Sequence, residues 1–164
     1  MKPKILAILF LGLLLQSIPS YAEEARKAIL LKISGLVQVR TLGSTDWRVA
    51  ESGMVLNEKD EIRTGKDSTA ELLLDDEGKT GRLELASQSR LLLNTMKLDG
   101  QTGNKTTLLD LALGDVLVHA QKLHGDSRFQ VRTANSTTGV RGTVFKVSAR
   151  SKPASEDKSP NDSK

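Results

Sequence analysis

From residue 28 onward the chain is a succession of short apolar or alternating runs, each cut off by a cluster of turn residues, and that rhythm limits what can be built from it. The runs are "AILLKISGLVQV", "DEIRT", "STAELLL", "GRLELA", "SRLLLN", "TTLLDLAL", "DVLVHA", "RFQVRT" and "TVFKVS". Between them stand "LGST", "TGKD", "DDEGKTG", "LDGQTGNK", "LHGD" and "ANSTT", rich in the Gly, Asp, Asn and Ser that reverse a chain. Starts recur at roughly 8–12 residues, the interval of an all-β sandwich, barrel or solenoid. "ELLL" and "RLLL" have helix propensity, but such short runs bounded by Gly and Asp are strand-sized and too short for a stable helix. The expectation is an all-β single domain of short strands in a short β-solenoid-like or twisted sandwich arrangement, with an α/β fold disfavoured.

The N-terminus has a different character. Lys2 and Lys4 precede the apolar run Ile5 to Leu15, which gives way to "QSIPSYA" ending at Ala22. This is the layout of a secretory leader, and Ser20-Tyr21-Ala22 places small residues where the peptidase reads, so cleavage is expected after Ala22. Eleven residues of helix reach about 16 Å, short of the roughly 30 Å hydrocarbon core, which disfavours an anchor. The organisation expected is a signal peptide over 1–22, a β domain over 23–149 and a disordered tail over 150–164. The tail holds two prolines and four serines and no large apolar residue to offset its ordering entropy. No membrane span is expected in the mature chain, which would work in the periplasm or outside the cell.

Charge then excludes a class of partner. The chain has 24 Lys+Arg and 20 Asp+Glu, but without leader and tail the balance is 18 against 17, which is no electrostatic footprint for nucleic acid. Only Trp47, Phe129 and Phe145 remain as aromatics after residue 22, leaving little for base stacking. There is no cysteine, so the core alone must hold the fold, and about 125 residues suffice for that.

Several segments, in this order, resemble the FecR domain family, named for the periplasmic part of ferric-citrate-type signalling regulators. They are "SGLVQVR" (34–40), "DWRVAESGMVLNEKDEIRTGKDSTAELLL" (46–74), "GDVLVHAQ" (114–121) and "RFQVRTANSTTGVRGTVFKV" (128–147). The ending "VRGT-x-F-x-V" and "D-x-IRTG" are the specific part. Where the family usually has proline after the threonine ahead of VRGT, this chain has Thr133-Ala134. The signalling regulators carry a sigma-factor-binding segment and a membrane span ahead of this domain, whereas here a leader precedes it. The resemblance therefore implies a stand-alone exported module of similar β fold, and it supplies no reaction.

The motif itself asks for an explanation, because Arg141 and Gly142 interrupt an apolar strand. If Thr143, Phe145 and Val147 face the core, Val140 has the wrong parity unless one residue is inserted. Gly142 in a left-handed conformation at a β-bulge would do that and re-aim Arg141. Asp60 and Asp115 are the expected partners of an Arg141 clamp, and an anion-binding Arg141 is the alternative. The pair Gly142-Thr143 also admits self-cleavage, with the threonine hydroxyl attacking the preceding carbonyl, a possibility the family resemblance raises too.

Other constellations fall short of chemistry. His119 and His124 have no third ligand in view and are expected to be solvated, so neither a metal nor any other cofactor is expected. "GDS" at 125–127 lacks a following histidine and a G-x-S-x-G context. The acidic groups "DDEG" (75–78) and "DEI" (60–62) lack calcium-loop spacing and are expected to be solvated loop charges. With no nucleophile, base and oxyanion site assembled, the expected function is a non-enzymatic interaction or scaffold module. Its partner would be an envelope protein or polymer that the sequence does not name, met through an exposed apolar patch or an unpaired strand edge. The alternative is an envelope-glycan or anionic-ligand binder with a groove where Arg141 meets other basic residues such as Arg63 or Arg132.

Overall fold

A computed structural model describes residues 23–75 and 78–150. The leader with its Ala22 site, the tail from Ser151 and the acidic residues Asp76 and Glu77 lie outside the described residues. Every regular element among the described residues is a strand. In chain order they are β1 (Glu23–Ala25), β2 (Ala28–Ser34), β3 (Val37–Arg40), β4 (Arg48–Val49), β5 (Val55–Leu56), β6 (Glu61–Thr64) and β7 (Thr69–Leu74). There follow β8 (Gly81–Leu85), β9 (Arg90–Asp99), β10 (Lys105–Ala120), β11 (Arg128–Arg132), β12 (Thr137–Val140) and β13 (Val144–Ala149).

All of them join one strongly curled sheet that forms a half-barrel, and β10 is its spine. The N-terminal half of β10 belongs to an arm ordered β4-β3-β6-β9-β10-β11-β12, with β1 against the far end of β9. Its C-terminal half belongs to a second arm, where β8, β7, β2 and β5 follow on one side and β13 on the other. The all-β single domain is thus borne out. The curl is antiparallel apart from the β10–β11 pair, which places it with a twisted sheet rather than with the stacked coils of a solenoid.

Alternation puts one face of each strand inside. Ala70, Leu72 and Leu74 of β7 and Leu83 and Leu85 of β8 meet Ile62, Leu91, Leu93, Leu109, Leu111, Phe129 and Val131 from the other arm in one core. Keeping a curled sheet loyal to that core requires changes of parity, and three inserted residues supply them: Leu31 in β2, Asn94 in β9 and Ala112 in β10. Before Ala112 the odd residues Thr107, Leu109 and Leu111 point inward; after it the even residues Val116 and Val118 do. "TTLLDLAL" and "DVLVHA", separate runs in sequence, are therefore one strand bent in the middle.

Gly114 makes the bend possible. Its φ is +83°, and a Cβ there would lie 2.6 Å from Ser89 Cα. The close approach lets the Asp115 N–H donate to Ser89 Oγ (2.9 Å) and Ser89 Oγ donate to the Asp115 carbonyl (3.1 Å). Ser89 N–H in turn donates to Thr64 Oγ1 (2.9 Å), whose hydroxyl donates to Ala86 O (2.6 Å). The threonine of "IRTG" thus fastens β6 to the turn before β9.

A buried ion cluster closes the other end of the arms. Arg26, 7% exposed, donates from Nε to Asp75 (2.6 Å), from Nη2 to Thr80 Oγ1 (2.8 Å) and from Nη1 to Thr107 Oγ1 (2.9 Å). Lys105 Nζ reaches the second Asp75 oxygen at 2.7 Å. Replacing Gly114 by Ala should cost about 2–3 kcal/mol, because the new methyl meets backbone at a positive φ. Urea unfolding of Gly114→Ala against the parent measures it, with Gly103→Ala, where the added methyl meets nothing within 4 Å, as the comparison for φ alone.

Candidate functional site

The conspicuous sequence motif lies at a corner. β12 pairs with β11 in the first arm and β13 with β10 in the second, so Arg141, Gly142 and Thr143 carry the chain from one arm to the other. Gly142 has φ +76°, as the motif required, and a Cβ there would come within 2.9 Å of Lys122 Cα. The residue turns a corner between two strands; it is not a bulge inside one. Val140 and Phe145 are half-buried and packed against the core, whereas Thr143, expected inward, is exposed. Among the described residues its hydroxyl has no hydrogen-bond partner, and its carbonyl accepts from the Ala120 N–H at 3.0 Å.

Arg141 is exposed and its Nη2 donates to the Gly125 carbonyl at 2.9 Å. Neither expected carboxylate is its partner. Asp60 is buried across the molecule, accepting from the Leu42 N–H (3.0 Å) and the Asn57 N–H (2.8 Å). Asp115 accepts from the Ser148 hydroxyl and lies 3.3 Å from Lys146 Nζ. Arg141 lines an open groove with Arg128, Phe129 and Gly139, but neither Arg63 nor Arg132 joins it: Arg132 is paired in a fork with Asp110 (2.7 and 2.6 Å), and Arg63 stacks on Trp47.

The corner leads into an open edge. β13 is hydrogen-bonded to β10 on one side and, among the described residues, pairs with no strand on the other. The bond from Ala120 to Thr143 fixes which groups face out. Residues 143, 145, 147 and 149 exchange bonds with β10, so the N–H and C=O of Val144, Lys146 and Ser148 point away from the sheet. Val144 is 62% exposed. Beside this edge the outer face of the second arm holds a cleft of about 600 Å³, floored by Leu117 and walled by Lys32, Glu71, Glu84 and Lys146. Register explains the walls, since Lys32, Glu71, Glu84, Leu117 and Lys146 form one cross-strand row.

A second cluster, on the outer face of the first arm, was not anticipated from sequence. Trp47 lies over three guanidiniums, with Arg63, Arg40 and Arg90 at 4.1, 4.8 and 5.8 Å from its ring centre. Glu61 sits between Arg40 and Arg90 and bonds both. Burial on its own would raise the Glu61 carboxyl, but hydrogen bonds and charge from Arg90 and Arg40 outweigh it and hold it below its ordinary value of 4.5. The signal that could have revealed the cluster is parity: Arg40, Glu61 and Arg63 all sit outward on neighbouring short strands, but the pairing of those strands is long-range.

Two further expectations need correction. The acidic pairs are not simply solvated: Asp60 and Glu61 are buried, and Asp75 is held by Arg26 and Lys105, because distant cations and backbone amides fold back onto them. Burial would raise the Asp75 carboxyl too, but the bonds from Arg26, Lys105 and Thr80 prevail and hold it below 3.8. His124 is exposed as expected, while His119 is half-buried with Nε2 3.1 Å from Glu84, its cross-strand diagonal neighbour.

With this geometry in view, the comparisons with known proteins give a family. The family model for FecR protein matches residues 60–156, and the chain belongs to the FecR family. The match takes in the "IRTG" fastening, the β10 spine and the VRGT corner, while β1 to β5 complete the same sheet from outside it. No curated protein and no solved structure matches the chain.

Two outcomes follow for the site. Arg141→Lys should change stability by no more than about 0.5 kcal/mol, since an exposed side chain loses one contact to a carbonyl, and thermal unfolding checks it. Asp75 and Glu61 have folded values below their unfolded ones, so the stability they add is complete above the ordinary carboxylate range and is lost as pH falls through the folded values. Unfolding midpoints should therefore drop below about pH 4, and Glu61→Gln should flatten part of that acid limb.

Proposed function

We propose that this FecR domain works in the cell envelope as an interaction module, without catalysis, by accepting a strand from a protein partner along β13. The observation that carries the reading is the free outer edge of β13, with three residues whose backbone donors and acceptors face away from β10. An unpaired edge is a template for strand addition, in which backbone bonds give affinity and alternate side chains give specificity. A strand laid there would drop every second side chain beside Lys146 and towards the cleft, whose mixed Lys and Glu walls favour a partner bearing both signs. Lys146 and the short length of β13 also protect the edge from indiscriminate pairing. The exported location rests on the leader-like start and on Ser20-Tyr21-Ala22.

Proline at an outward position tests the edge without touching the ladder to β10. Lys146→Pro removes one outward N–H and should leave the fold intact by circular dichroism, whereas Phe145→Pro breaks a bond to β10 and should unfold the edge. Tagged protein used on envelope extract should retain a defined partner in the parent and lose it in Lys146→Pro. Capture that is unchanged in a folded Lys146→Pro counts against the edge. For location, N-terminal sequencing of protein from the envelope fraction should return Glu23, and a start at Met1 would overturn export.

A further inference from the structure

The outer face of the first arm holds more positive charge than its own carboxylates neutralise. The cavity beside the loop Thr41–Ser44 is lined by Arg40, Lys59 and Arg90 against the one carboxylate of Glu61, with Arg63 and Trp47 stacked next to it. Arg63 and Arg90 are direct cross-strand partners, an arrangement of like charges that costs stability unless something offsets it. Glu61 and the Trp47 ring offset part of it, but each Glu61 oxygen takes only one bond, from Arg40 Nη2 and from Arg90 Nε. Among the described residues the other N–H groups of these two guanidiniums have no protein acceptor. They border a cavity of about 390 Å³, lined also by Lys59, Leu92 and residues 41–44. Arg40 and Arg90 are 32% and 46% exposed, so their free donors reach solvent through it.

From this geometry we infer that the cavity between Arg40, Arg90 and the 41–44 loop is a binding site for a phosphate monoester. The excess of two positive charges matches a phosphate dianion, whereas one carboxylate would leave the site cationic. Two guanidinium forks also fit the several oxygens of phosphate better than a point charge does. Glu61 is then a positioning residue: it holds the two forks in place and competes with the ligand for them. The site lies on a different face from β13 and does not rest on the strand-addition reading.

Trp47 is the single tryptophan and reports on the site through Arg40 and Arg90, whose guanidiniums lie over its ring. Inorganic phosphate added to the mature full-length protein at low, matched ionic strength should shift Trp47 emission saturably, and chloride should not. Arg90→Gln should weaken binding about tenfold, the worth of one charge-assisted contact, while Arg132→Gln, whose partner Asp110 lies elsewhere, should leave it unchanged. Glu61→Gln should tighten binding, an outcome that a purely structural Glu61 does not give. If Glu61→Gln fails to fold, Arg90→Lys decides, because it keeps the charge while losing the fork; several-fold weaker binding supports the site and an unchanged affinity overturns it. Equal responses to phosphate and chloride, or weaker binding in a folded Glu61→Gln, also overturn it. Glucose 1-phosphate and phosphatidic acid vesicles then separate a sugar-borne from a lipid-borne monoester, and a response to inorganic phosphate with none to either ester overturns the proposal.

Discussion

Gly114 resting on Ser89 is the contact from which the rest of the architecture follows. A sixteen-residue strand that stayed straight would serve one flat sheet, with two wet faces and no enclosed core. Here the residue inserted at Ala112 reverses parity, and the left-handed Gly114 admits Ser89 to backbone contact, so the two halves of β10 belong to arms that close on each other. Ser89 and Thr64 then satisfy the polar groups that the bend would strand, which is required wherever irregular backbone is buried. The curl in turn creates both outer faces, and with them the edge and the cluster where contact with other molecules is possible.

Charge plays two distinct parts in this molecule. At the far end of the arms Arg26 is enclosed and all three of its nitrogens have acceptors, two of them neutral threonines, so the guanidinium acts as a geometric tie among β7, β10 and the segment before β8. Such a buried pair adds little net stability over an apolar replacement, yet breaking one side of it is costly, because the remaining charge is then buried alone. Around Trp47 the guanidiniums are only partly satisfied and partly exposed. The same residue type is thus structural where its donors are exhausted and available where they are not.

Sequence carried the strands well and the site poorly, for one physical reason. Strand content, turn positions and the left-handed glycine at 142 depend on local pattern, and a window of ten residues contains them. The edges β4 and β5 are two residues long and left no periodic trace, and β12 hid inside the cluster "ANSTT" because its Thr137 and Thr138 suit turn and strand alike. The partners of Arg141, Asp60 and Asp75 depend on contacts that span up to 49 residues, and composition cannot specify them. Arg141 illustrates the limit: the motif predicted that the arginine would be re-aimed, but which carbonyl receives it is decided by where the 125 turn lands.

Position relative to the core decides whether one small domain can hold two partners. Side chains of the cleft beside β13 lie on the outward face of the second arm, and the Trp47 cluster lies on the outward face of the first. The core packs between them, with Leu72 and Leu83 on one side and Ile62 and Leu91 on the other. Because interiors are close-packed, a ligand on either face contacts rigid strands and need not disturb the other. A strand added to β13 makes its bonds with backbone, while an anion at Arg40 and Arg90 makes its bonds with side chains, so the two contacts draw on different groups and different physics. The curl set at Gly114 is what turns these two outer faces away from each other.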